Sequence, residues 1–172
     1  MTLTYPFTEQ ESQKAHDEWG ANCGPNALAF ALGIHVNETR RLIPEFEAKC
    51  YTTPTMMREA LDRAGAKFAV ARVPARKPGH LADIEPMFHK ATALVRIQWE
   101  GPWTEPGANP RWAYRQTHWV TTWMHDTTCF MFDVNGGVRT LQSWEAEIVP
   151  LLTGEIERAN GHWFPTHIWR IL

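Results

Sequence analysis

The sequence predicts an α+β fold, with helices first and a largely antiparallel sheet after them. Three observations carry this. Capped helical segments occupy the first third of the chain. Segments rich in β-branched and aromatic residues occupy most of the rest. No Pro/Gly-rich linker separates two cores, so residues 1–172 read as one domain with a helical lobe over about 1–65 and a sheet lobe over about 66–172.

The elements follow in order. Thr8-Glu9-Gln10-Glu11 fits a capping box, which starts a helix at Thr8 that runs to about Glu18. Gly20 to Asn22 interrupts it. A second helix runs from about Cys23 to Leu32, with Pro25 in its first turn and Gly33 as its stop. A short helix is expected after Asn37. Thr53-Pro54 begins another, which ends at Gly65. Strands are expected over Lys67–Val73, Thr92–Trp99, Thr117–His125, Thr128–Val134 and Trp163–Ile171. Further helices are expected over Leu81–Lys90 and after Ser143 as N-cap. The segment from Glu100 to Gln116 holds three Pro, two Gly and two Trp, the composition of a functional loop.

Composition narrows the function. With 172 residues, 44% hydrophobic and 21% charged, the chain is long and apolar enough to fold around a core. The formal net charge is −2 and no basic stripe is present, which argues against nucleic acid as a partner. Ala27 to Ile34 is far too short an apolar run to span a bilayer, so no membrane partner is expected. The N-terminal residues lack the basic and apolar regions of a secretory signal, so the expected location is the cytoplasm. Three cysteines without C-x-x-C spacing predict neither a zinc site nor a disulfide framework, and no metal or other cofactor is expected. Arg72, Arg76 and Lys77 read as a solvated basic face.

One cysteine stands apart. Cys23 opens a helix between Gly20 and Gly24. Unpaired N–H groups and the macrodipole favour an anion there, which is the condition for a reactive thiolate. Gly24 would let a substrate carbonyl approach. A thiolate nucleophile needs a base, and the base needs an orienter. If Asp126-Thr127 is a two-residue turn, His125 lies opposite Thr128, and His118, Val120, Asp133 and Asn135 share one face. A carboxylate and an amide then flank the imidazole within reach of its Nδ1. The alternative reading of Asp133 is a strand-end cap for the Asn-Gly-Gly turn. Cys50 and Cys129 read as inert.

The segment Trp19-Gly20-Ala21-Asn22-Cys23-Gly24-Pro25-Asn26-Ala27-Leu28 resembles the nucleophile segment of papain-like cysteine peptidases, most closely the bacteriocin-processing (double-glycine) group. His118-Trp119-Val120 and Asp133-Val134-Asn135-Gly136-Gly137 match that group's later motifs in order and approximate spacing. The resemblance covers about residues 13–150. It implies a papain-like fold with Cys23 as nucleophile, His118 as general base and acid, and Asp133 as orienter, with Asn135 as the alternative. The chain departs from the group at Asp17, where a Gln usually donates to the oxyanion. Gln13 and Asn22 are the remaining side-chain candidates. Trp19, Trp103, Trp112 and Trp119 are expected around the cleft, while Trp123, Trp144 and Trp169 are expected in the core.

The function implied is hydrolysis of a peptide or isopeptide bond through a thioester, with a peptide or protein as substrate. Two alternatives remain. One is acyl transfer, or isopeptide cleavage from a ubiquitin-like tail. The other is a papain-like binding module that has lost catalysis, a reading supported by Asp17.

Overall fold

A computed structural model describes residues 5–71, 73 and 92–172. The expected helix over Leu81–Lys90 and the basic cluster Arg72, Arg76 and Lys77 lie outside the described residues. Five helices come first: α1 (Glu9–Trp19), α2 (Cys23–Leu32), α3 (Val36–Leu42), α4 (Phe46–Lys49) and α5 (Pro54–Arg63). Strands β1 (Phe68–Ala71) and β2 (Ala93–Trp99) follow. Then come a 3-10 turn (Pro102–Thr104), α6 (Pro110–Arg115), β3 (Thr117–His125), β4 (Thr128–Asp133) and β5 (Gly137–Thr140). A helical run over Leu141–Ser143, Trp144–Ile148 and Val149–Gly154 leads to β6 (Trp163–Ile171). The class is α+β.

Local chemistry sets the early boundaries. Thr8 caps α1, and the reciprocal bond from its backbone N–H to Glu11 completes the capping box. Asn22 caps α2 by accepting from the Gly24 N–H, and Gly33 ends that helix at φ +64°. Helix α3 starts slightly earlier than expected, because the His35 ring accepts the Asn37 N–H and serves as N-cap. The later helical run starts from Thr140, not Ser143. The Thr140 hydroxyl accepts the Ser143 N–H, which leaves Ser143 inside the run. Its middle residues, Trp144–Ile148, form a π-helical turn.

The six strands lie in the order β1-β6-β2-β3-β4-β5, and each neighbouring pair is antiparallel. Side chains alternate across this sheet, so each face builds its own core. Leu94, Trp119, Trp123, Phe132 and Trp169 pack against α1–α5. Val95, Ile97, Trp99, Val120 and Met131 pack under Leu141, Trp144 and Ile148 of the helical run. The β3–β4 hairpin pairs His125 with Thr128 across Asp126-Thr127, with Asp126 at φ +53°. Among the described residues no helix is long and apolar enough to cross a membrane.

Candidate active site

Three elements converge on one spot. Cys23 is the first residue of α2, His118 is the second of β3, and Asp133 is the last of β4. The β3–β4 register sets the geometry. Thr121 pairs with Phe132, so His118 and Asp133 fall on the same face near the open end of the hairpin. His118 Nε2 lies 2.9 Å from Asp133 Oδ2, an ion-pair distance, with the oxygen off the ring N–H direction. The sequence expectation placed the carboxylate at Nδ1. The structure corrects this: Nε2 is the ring nitrogen that faces the carboxylate. That leaves Nδ1 as the ring nitrogen not facing Asp133, and the Cys23 thiol is the imidazole's other polar neighbour, both side chains lining one cavity.

Asp133 is fully buried, and the groups its carboxylate meets among the described residues are donors. Oδ1 accepts the Asn135 backbone N–H at 2.9 Å and the Asn135 amide Nδ2 at 3.2 Å. Oδ2 accepts the Trp144 indole N–H at 2.8 Å and faces His118. Burial alone would raise the carboxyl pKa, but His118, Asn135 and Trp144 outweigh it and hold it below the usual range. For His118, burial works against the imidazolium. The charges of Asp133 and Cys23 overcome that burial, and its pKa stands well above the ordinary imidazole value. Trp99 stacks on the His118 ring at 5.9 Å between centroids and in turn stacks on Trp144.

Cys23 sits between two cavities. One, of about 440 Å³, is lined by Gln13, His16, Ala21, Asn22, His118 and Asn135, among others. The other, of about 640 Å³, is lined by Tyr51, Thr52, Arg96, Arg111, Tyr114 and Trp119, among others. At the first helical position, the Cys23 N–H has no intrahelical acceptor.

The remaining expected residues are placed as follows. Asn22 touches both cavities, but its amide is committed: Oδ1 accepts from Gly24 and Nδ2 donates to the Cys50 carbonyl. Gln13 lines the His118 side and donates one amide N–H to Asp17 at 2.8 Å. Asp17 thus holds Gln13 from one turn below and does not line either cavity. Asn135 supports Asp133 and makes no bond to His118. Trp119 borders the larger cavity, with its indole N–H on the Thr52 carbonyl.

Three tryptophans and one glycine fall elsewhere. Trp19 packs edge-on against Phe46 in the helical core, because its position on α1 faces inward. Trp103 is buried with its indole N–H on the Trp99 carbonyl, and with the exposed Trp112 it lines a separate cavity beside Ile156. Gly24 does not open the cleft. A Cβ there would lie 2.1 Å from Thr52 Oγ1, so the glycine admits the Thr52 side chain.

Three residues gain a place that the sequence did not assign. Trp144 is buried as expected and also bonds Asp133. His16 lines the cavity with Cys23, its Nδ1 3.1 Å from the Ala21 carbonyl. The helical spacing from Gln13 to His16 is the signal for it. Arg96 faces the larger cavity. Among the described residues no group of three or more His, Cys, Asp and Glu could hold a metal ion. No family model matches the sequence, and no curated protein matches it.

Proposed function

We propose that the protein is a papain-like cysteine peptidase or amidase. The Cys23 thiolate attacks a carbonyl carbon, and the tetrahedral oxyanion is held by the Cys23 N–H, with Gln13 as the side-chain donor on the same side. His118 Nδ1 gives its proton to the departing amine, and a thioester forms. Water then enters, His118 takes a proton from it, and the acid product leaves as the thiol is restored. Asp133 fixes the ring through Nε2 and favours its charged form. Asn135 and Trp144 keep that carboxylate ionised and in place.

A single observation carries this reading: one imidazole stands between a thiol at a helix start and a buried carboxylate whose other contacts are all donors. A buried ion pair that shifts both of its groups beside a cavity is the pattern of a catalytic base and its orienter.

The test is cleavage of a peptide mixture, read as new N-termini by mass spectrometry. The wild-type protein is expected to generate them, while Cys23→Ala and His118→Ala both abolish them. Cleavage that survives Cys23→Ala overturns the assignment.

A further inference from the structure

The larger cavity beside Cys23 carries an unusual charge. Arg96 projects from the middle of β2 and is 5% exposed. A buried guanidinium is costly unless an anion meets it. Here one terminal nitrogen donates to Thr166 Oγ1 at 3.2 Å and the other to Thr117 Oγ1 at 3.3 Å, while Nε has no partner. No carboxylate among the described residues pairs with it. The Tyr114 ring lies over it at 5.3 Å. Arg111 and Arg115, one turn apart on α6, line the same cavity, and its lining includes no Asp or Glu. Burial disfavours the Arg96 charge more than Tyr114 and Cys23 favour it, and that charge is felt nearby. Burial lowers the pKa of His167, which pairs with Arg96 across the sheet, and Arg96 lowers it further.

The two cavities differ in their relation to the base. His118 lines the Gln13 side and not the arginine side. The leaving amine must be where His118 can protonate it, so the acyl part of a substrate lies on the arginine side.

We propose that this cavity is the acyl-side specificity site, and that it selects a peptide with an anionic side chain upstream of the scissile bond. The inference rests on the peptidase reading for the direction of the peptide. The anion completes Arg96 in the way an internal carboxylate would have done, with Arg111 and Arg115 at the mouth to attract it. Thr117, adjacent to His118 and bonded to Arg96, links the occupied subsite to the base.

The test measures binding without turnover. Cys23→Ala protein is titrated, by NMR chemical shift, with N-acetylated, C-amidated octapeptides that differ only in one residue: Glu, phosphoserine or Gln. The Glu or the phosphoserine peptide is expected to bind roughly 10-fold or more tighter than the Gln peptide, the range for a charge-assisted bond. The tighter of the two identifies carboxylate or phosphate as the anion. Arg96→Met brings that ratio toward one. Should Arg96→Met fail to fold, the surface pair Arg111→Gln and Arg115→Gln lowers the ratio and gives a second check. Equal Kd values for all three peptides, or no binding of any, overturn the proposal. A charge preference that persists in a protein whose wild type cleaves nothing counts against the peptidase reading alone.

Discussion

His118 is the residue on which the account turns, and its partners fix what each substitution does. Asp133 touches the ring directly, whereas Asn135 acts only through Asp133. Asp133→Asn removes the charge that holds the imidazolium and is expected to lower kcat by roughly 10²–10⁴. Asn135→Ala leaves the backbone N–H bond to Asp133 in place and is expected to cost less than about 10-fold. Single-turnover kinetics on both variants checks the order, and the reverse order would make Asn135 the orienter. The same pair sets a pH window for folding. His118 is raised, so its contribution is complete below the unfolded imidazole value, about 6.5, and is lost as pH rises through the higher folded value. Asp133 is lowered, so its contribution is present above the unfolded carboxylate value, about 3.9, and is lost as pH falls through the lower folded value. Urea unfolding should therefore show wild-type stability highest between those two unfolded values. Asp133→Asn should flatten that maximum, and a wild-type stability that climbs into alkaline pH would contradict the coupling.

At the scale of elements, the start of α2 is held by neighbours far along the chain. Asn22 caps it and reaches the Cys50 carbonyl, while the Thr52 carbonyl accepts from Trp119 on β3. The loop between α4 and α5 thus ties the helix that carries the thiol to the strand that carries the imidazole. At Gly24 an added Cβ would run into Thr52 Oγ1 and Cβ. Gly24→Ala is expected to destabilise by about 1–3 kcal/mol through overpacking. Because the strain falls on the Cys23 backbone, turnover should fall as well. Calorimetry and turnover on this variant check both, and an unchanged Tm would mean that the loop yields freely.

Much of this arrangement was legible in the sequence, for reasons that vary with range. Helix caps such as Thr8, Thr53 and Gly33 are local, so their signals survive intact. The shared face of His118 and Asp133 follows from side-chain alternation once the Asp126-Thr127 turn has two residues. Arg96 was not legible, because Arg96 and Gln98 alternate with apolar residues as on a solvent-facing strand. Their burial comes from chain distant in sequence, with Tyr114 over Arg96 and the Gln116 carbonyl bonded to Gln98. Trp103 and Trp112 have the composition of a cleft lip, yet the Trp103 indole finds the Trp99 carbonyl instead. Strand β5 is only four residues long, and Val138 and Thr140 are its only strand formers.

Over the whole molecule, the three cysteines provide an internal comparison. Cys50 is exposed, Cys23 is half-buried and Cys129 is buried. Exposure alone would make Cys50 react first. The structure gives Cys23 a helix start and the imidazole of His118, and neither of the other thiols has both. The most direct test is therefore limited alkylation with iodoacetamide at mildly acidic pH, mapped by mass spectrometry, on the wild type and on His118→Ala. Cys23 is expected to be labelled ahead of Cys50 in the wild type, and His118→Ala to slow Cys23 by roughly 10-fold or more while leaving Cys50 unchanged. Labelling of Cys50 first, or a Cys23 rate indifferent to His118, would contradict it.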